Sequence, residues 1–121
     1  MQAYGRDSVL VEEAAYSAPA GNSEQLYAVK NIDAAPDVSD VTNLSAASAA
    51  DVVKKQLVTN LVDCPTLGAP SRETQTNSLL DNYEGMTIIG GPGLAEVSLI
   101  SDDNFSPTQY TRVLNLAVKL P

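Results

Sequence analysis

The pattern of apolar and polar positions is most regular near the C-terminal end of the chain. Two apolar runs, Met86 to Ile89 and Val97 to Ile100, flank the turn residues Gly90-Gly91-Pro92-Gly93. Short β-rich runs joined by a Gly/Pro turn indicate an antiparallel hairpin. A third run with alternating apolar positions follows, so we predict a three-stranded antiparallel meander. Its predicted strands are Tyr83–Ile89, Ala95–Ser101 and Gln109–Val118.

The N-terminal part predicts a second antiparallel pairing. The run Ser8 to Tyr16 is rich in apolar residues, and Gln25 to Ile32 alternates with a period of two, with Leu26 and Ala28 on one face. A Gly21-Asn22 dipeptide between them is a strong turn signal. We therefore predict a strand pair in residues 1–35.

The segment between these two parts is ambiguous. Val53, Leu57 and Leu61 recur every four residues, which slightly favours a helix from about Ala46 to Leu61. The same segment is also rich in β-branched residues, which favours a strand. Pro65 ends whichever element forms. The following run, Thr66 to Ser78, is polar and aperiodic and is predicted to be a long surface loop.

The composition of the chain argues against several classes of function. The 121 residues fit one small domain, and the net charge of -8 leaves no basic face for nucleic acid or for an anionic membrane. No apolar run approaches membrane-spanning length. Met1 is followed by polar residues, so no signal peptide is expected in this chain, although the abrupt start suggests that upstream sequence is missing.

Cysteine and histidine usage narrows the chemistry further. Cys64 is the single cysteine and histidine is absent. An intrachain disulfide, a histidine-ligated zinc site and a Ser-His-Asp or Cys-His arrangement therefore cannot form within the chain. The missing histidine weighs against a serine-hydrolase mechanism within this chain but not against a metal-dependent one.

A group of carboxylates and amides is predicted at one end of the hairpin. Because the start of one strand lies beside the end of its antiparallel partner, Asn82 and Glu84 should lie near Asp102, Asp103 and Asn104. Carboxylates held together repel each other unless a cation joins them, and oxygen ligands suit calcium. The alternative is turn chemistry, because Asp and Asn side chains commonly bond the backbone where strands end.

Four other side chains near this end have predicted roles. Tyr83 and Phe105 are expected to pack in the core or against a neighbouring blade rather than to form a substrate platform, since aromatic residues dominate cores. Arg112 could pair with a carboxylate of the cluster, but we expect its head group to reach solvent. Ser101 has no base available and is expected to bond the backbone.

Several of these runs resemble the phytase-like family, often described as having "esterase-like activity of phytase". Asp81 to Met86 resembles the family's DN-x-EG motif, and Leu99 to Phe105 resembles its SDDNF signature. Thr108 to Leu114 is similar to the family's closing strand. Val9 to Glu13 resembles its L-V-L-E-R strand, with Glu13 where the family usually carries arginine.

This resemblance implies an all-β fold made of the C-terminal blades of a β-propeller. A propeller typically needs about 4–8 blades of four strands, and this chain could supply at most about two, so an incomplete propeller is expected. The resemblance also favours a strand over a helix for Val52 to Leu61. Residues 1–121 then form one part of a propeller domain: a strand pair in 1–35, a connection with one strand and a long loop in 36–80, and the meander in 81–121.

The resemblance further implies a hydrolase of phosphate esters or other esters, with metal held by carboxylates. Calcium is the cation expected at Glu84, Asp102, Asp103, Asn82 and Asn104. The isolated chain is expected to be inactive and to need missing blades or self-association. The full-length protein is expected to be secreted or periplasmic. The alternative is a non-catalytic propeller module in which the motif residues brace the blades.

Overall fold

The computed structural model describes residues 1–121 and contains two antiparallel β-sheets. It has seven strands, three short 3-10 turns and no α-helix, so the expected all-β class is confirmed. The first sheet has the order β1-β2-β3-β4 and the second the order β5-β6-β7. The strands are β1 (Gln2–Gly5), β2 (Ser8–Ser17), β3 (Gly21–Lys30), β4 (Lys55–Asn60), β5 (Tyr83–Ile89), β6 (Gly93–Ser101) and β7 (Val113–Leu120).

The predicted N-terminal strand pair is present as β2 and β3. These strands pair without a register shift from Ser8 opposite Lys30 to Ser17 opposite Gly21. Gly21 has φ 74, in the left-handed region that glycine adopts without a Cβ penalty. The short strand β1, which the pattern did not predict, extends this sheet by pairing with β2.

The predicted C-terminal meander is also present. β5 pairs with β6 and β6 with β7 in sequence order. β7 begins at Val113, four residues later than the predicted Gln109. The reason is that the backbone N–H groups of Tyr110 and Arg112 donate to the side chains of Asp81 and Ser101 instead of to a neighbouring strand.

The helix that the four-residue spacing slightly favoured is wrong, and the strand favoured by the resemblance is confirmed. β4 (Lys55–Asn60) pairs with β3. Of the helical series, Leu61 is fully buried, whereas Val53 is 44% and Leu57 51% exposed. As strand β4, this segment forms backbone hydrogen bonds with the open edge of β3. As a helix it would bury too little apolar surface to be stable. A 3-10 turn at Leu44–Ala46 is the helical structure that lies nearest.

Apolar side chains of both sheets form one buried cluster. Its central members include Leu10 and Leu26 from the first sheet and Val97 and Leu99 from the second. β1 contacts β5 and β4 contacts β7, so the two sheets share one core while each keeps two open edges. The structure has no helix long and apolar enough to cross a bilayer.

Candidate functional site

A β-bulge in β5 determines how the motif Asp81 to Met86 presents its side chains. Tyr83 lies opposite Ser101 and Gly85 opposite Ile100, so Glu84 is the extra residue on its strand. Tyr83 is buried and Glu84 is exposed. A bulge re-aims side chains in this manner and is common next to functional sites.

Glycine is required at the bulge by close packing. A Cβ on Gly85 would lie 2.5 Å from Cγ2 of Ile100, which no real Cβ contact tolerates. A shallow depression of ≈ 380 Å³ lies beside this contact at the strand end, and its lining includes Glu84, Asp102 and Thr111.

Two of the five predicted ligand residues, Glu84 and Asp102, line this depression, and a third, Asn82, contacts both of them. The side-chain amide of Asn82 donates to Oε1 of Glu84 at 2.7 Å and lies 3.5 Å from the backbone carbonyl of Asp102. The backbone N–H of Asp102 donates in turn to the carbonyl of Asn82. The hairpin geometry inferred from the sequence therefore brings Asn82, Glu84 and Asp102 to one end of the second sheet.

The other two, Asp103 and Asn104, belong to the turn that follows β6. Oδ1 of Asp102 accepts the N–H of Asn104 at 3.1 Å, and Oδ1 of Asp103 accepts the N–H of Phe105 at 3.0 Å. These are the local contacts of the turn-chemistry alternative. No group of three or more His, Cys, Asp or Glu side chains is arranged to hold a metal ion. The calcium site stays a prediction.

A buried ion pair between Asp81 and Arg112 lies behind this end of the hairpin. Nη2 of Arg112 is 3.1 Å from Oδ2 of Asp81, and the two side chains are 15% and 5% exposed. The guanidinium also donates to the carbonyls of Ser78 and Pro70, and the Asp81 carboxylate accepts the N–H of Tyr110. The expectation that Arg112 reaches solvent is wrong, because this set of acceptors holds its head group inside.

Of the two aromatic residues at the motif ends, one is in the core and one is not. Tyr83 is buried, donates its hydroxyl to the carbonyl of Leu79 at 2.7 Å, and has its pKa raised to about 12 by burial. Phe105 is fully exposed, so its core assignment is wrong. It lies in the turn capped by Asp103 with φ 56, and that backbone conformation directs it away from both sheets.

Ser101 bonds the backbone, as expected. Its hydroxyl donates to the carbonyl of Tyr110 at 2.7 Å and accepts the N–H of Arg112 at 3.1 Å. Both bonds tie the end of β6 to the segment that leads into β7. A hydroxyl engaged in this way is a structural group rather than a nucleophile.

A second pair of acidic residues, which the sequence reasoning missed, lies on the buried face of the first sheet. Glu24 is fully buried and Glu12 half-buried. Burial and the adjacent Glu12 charge raise the pKa of Glu24 to about 9. Leu26 and Ala28 share one face of the strand. Continuing this period of two back to position 24 would have placed Glu24 on the same, core-facing side.

Comparisons with known proteins give one match. A protein-family model described as "Phytase-like: Esterase-like activity of phytase" matches residues 1–105 of the chain. That range includes the first sheet, β5, β6 and the turn that carries Asp102 to Phe105, and it excludes β7. No curated protein and no solved structure matches.

Proposed function

The chain belongs to the phytase-like family, and from this premise we propose that it is part of a hydrolase acting on phosphate esters or other esters. The observation that carries the proposal is the family match over residues 1–105 of the 121-residue chain. In this proposal the two sheets are consecutive blades of a β-propeller that further blades complete, because a propeller typically needs about 4–8 of them.

The depression at the end of the second sheet is the proposed place for substrate. Glu84 and Asp102 supply two carboxylates on its wall, and the Asn82 amide nitrogen donates to Glu84. Calcium takes about 6–8 oxygen ligands, so water or substrate oxygens would have to supply the remainder. Asp103 and Asn104 could join only if the turn after β6 releases its backbone contacts.

The chemistry of the donor set fits a hard divalent cation with open coordination positions. A bound calcium ion would neutralise phosphate charge and polarise the ester. The chain's own residues orient the site: the bulge aims Glu84 outward, and Asn82 holds its carboxylate beside the backbone of Asp102.

The isolated chain is proposed to bind but not to turn over substrate. It contains no histidine, and the Ser101 hydroxyl is bonded on both sides, so no nucleophile–base pair is assembled. Groups from further blades would then complete the catalytic site.

The test is calcium-dependent binding of a simple phosphate ester, phenyl phosphate, followed by NMR and by calorimetry. We expect binding that requires calcium and is lost in Glu84→Gln and in Asp102→Asn. Glu96→Gln and Asp40→Asn are matched controls, because both residues are exposed and lie outside the depression. The controls should bind like the unsubstituted chain.

Two results would contradict the proposal. Absence of calcium-dependent binding at millimolar ion would leave Glu84 and Asp102 as turn and bulge residues. Hydrolysis of p-nitrophenyl acetate or p-nitrophenyl phosphate by the chain alone, abolished in Ser101→Ala, would show that the isolated chain carries its own nucleophile.

The second candidate is a non-catalytic module in which the motif residues brace the sheet. The observation that favours it is the Asp81–Arg112 pair, which connects the start of β5 to the approach of β7 and to the loop carbonyls of Ser78 and Pro70. Under this candidate, substitutions at Asp81 lower stability while substitutions at Glu84 change neither stability nor ligand binding.

A further inference from the structure

The pair Glu12 and Glu24 places two carboxyl groups inside the molecule with few partners. Glu12 lies opposite Leu26, and Glu24 lies opposite Ala14, so the two glutamates are diagonal neighbours on one face of β2 and β3. Glu24 is 0% exposed. Oε1 of Glu12 and both carboxyl oxygens of Glu24 are buried without a hydrogen-bond donor from the rest of the protein.

This face is turned toward the second sheet. Leu26 and Ala28, the next residues on the Glu24 face of β3, belong to the same buried cluster as Leu80 and Tyr83. Because Tyr83 of β5 is a member of that cluster, the face that carries the two glutamates packs against the second sheet. The pair therefore lies where the two sheets meet.

The other charged groups around this region do not neutralise the pair. The N-terminal amine acts weakly on Glu12, and Arg112 is engaged by Asp81. Tyr83 keeps its proton, since its pKa is raised to about 12. Lys30 shares the face of Glu24 but is exposed at the far end of β3. Lys55 of β4 is exposed and pairs with Glu13, and Lys119 of β7 is exposed.

Two ionised carboxylates in such a place would be very costly, because each loses its hydration and both repel. One shared proton removes most of this cost. Glu24, as the more buried group, is the one that keeps the proton. This arrangement is the two-carboxylate, one-proton pair found where like charges cannot both ionise.

We propose that Glu12 and Glu24 act as a proton-dependent switch at the interface between the two sheets. With one proton on the pair, the sheets close over it and the shared core is complete. When the proton leaves to solvent, two buried negative charges repel each other, and the interface between the sheets loosens.

This switch predicts that the free energy of unfolding decreases as pH rises. The pKa of Glu24 rises from the ordinary value of 4.5 to about 9 on folding, so the folded state holds a proton that the unfolded state releases. The contribution of Glu24 to stability is therefore fully present below pH 4.5 and is lost as pH rises toward 9. One linked proton makes the unfolding equilibrium constant rise by up to about tenfold per pH unit in this window.

The first experiment measures urea unfolding of the full chain across this pH window. The unsubstituted chain should lose stability steadily with rising pH. In Glu24→Gln the amide cannot titrate, so the slope should flatten, and in Glu12→Gln it should become shallower because the neighbouring charge is gone. Glu96→Gln, at an exposed position of β6, should keep the full slope.

A second measurement needs no substitution and stands even if a variant fails to fold. Carbon-13 NMR of the glutamate carboxyl groups in the unsubstituted chain should show one carboxyl that stays protonated at neutral pH. Titration of every glutamate near the ordinary pKa would overturn the proposal. A calcium-dependent rise in melting temperature that disappears in Glu24→Gln would also overturn it, because a cation rather than a proton would then bridge the pair.

Discussion

At the scale of single residues, the Asp81–Arg112 pair shows that a buried cation requires a carboxylate partner. Arg112 and Arg72 both lie against the ring of Tyr110, with distances of 4.8 and 4.0 Å to its centroid. Two cations on one ring repel unless a carboxylate is near, and Asp81 supplies it at 3.1 Å. The Asp81 carboxylate also holds the N–H of Tyr110, so one side chain fixes the whole approach to β7.

We expect Asp81→Asn to destabilise the chain by about 3 kcal/mol, because breaking a buried pair leaves an uncompensated charge inside. The carbonyl acceptors of Ser78 and Pro70 remain for Arg112 and keep the loss near the low end of the usual range. Urea unfolding at neutral pH measures this loss.

The exposed pair of Glu13 and Lys55 provides the matched control. Its atoms are 2.5 Å apart, but the two side chains are 42% and 46% exposed. Glu13→Gln should therefore cost less than about 1 kcal/mol. Equal losses of stability in the two variants would contradict this prediction, because they would mean that the burial of Asp81 does not strengthen its ion pair.

At the scale of elements, the bulge in β5 and the long loop before it determine the local structure at the start of the second sheet. The loop that the sequence predicts at Thr66 to Ser78 is anchored rather than free. The amide nitrogen of Asn77 lies 2.9 Å from the carbonyls of Val62 and Cys64, and its Oδ1 accepts the N–H of Leu79. A single buried amide thus ties the end of the loop to the turn after β4.

We expect Gly85→Ala to destabilise the chain by roughly 1–3 kcal/mol, because inserting a methyl group into filled space forces neighbours to move. The atom it would meet is Cγ2 of Ile100, at 2.5 Å. The free energy of unfolding measures the loss.

The double variant Gly85→Ala with Ile100→Ala tests the cause. Removing Cγ2 of Ile100 should recover much of the loss, so the double variant should be more stable than the sum of the single variants predicts. Strict additivity would show that the two positions do not touch and that the bulge has another origin.

At the scale of the whole molecule, the outer face of the second sheet is unusually apolar. Ile89 is 67%, Leu94 78%, Ile100 48% and Val113 62% exposed. Patches of this kind on a small protein commonly mark contact surfaces. Together with four open sheet edges, they motivate the prediction that the isolated chain associates or is only marginally stable.

We expect sedimentation velocity to show association that increases with concentration. Val113→Lys, which puts a charge opposite Ile100 on this face, should reduce it strongly. Leu67→Lys is the control, because Leu67 is 92% exposed but lies in the long loop. A stable monomer at all concentrations with a sharp, reversible melt would contradict the prediction.

The sequence by itself determined the features that local patterns encode. Period-two alternation and Gly/Pro turns were sufficient for the pair β2–β3 and for the β5–β6–β7 meander, and the family resemblance was needed for the strand β4 that completes the all-β class. The motifs around Glu84 and Asp102 were sufficient for the phytase-like family. Antiparallel pairing also predicted the proximity of Asn82, Glu84 and Asp102, because neighbours across a hairpin follow from the turn alone.

Only the tertiary structure decided which side chains are inside and what they meet there. Arg112 is buried because Asp81 and two loop carbonyls surround it, and those acceptors lie some thirty or forty positions away in the chain. Glu24 is an ordinary acidic residue until a second sheet covers its face and removes its water. Alternation tells which positions share a face, but whether that face is covered, and by which groups, depends on long-range packing. For the same reason the segment around Leu57 became strand β4, since the free edge of β3 supplied partners that the local pattern could not reveal.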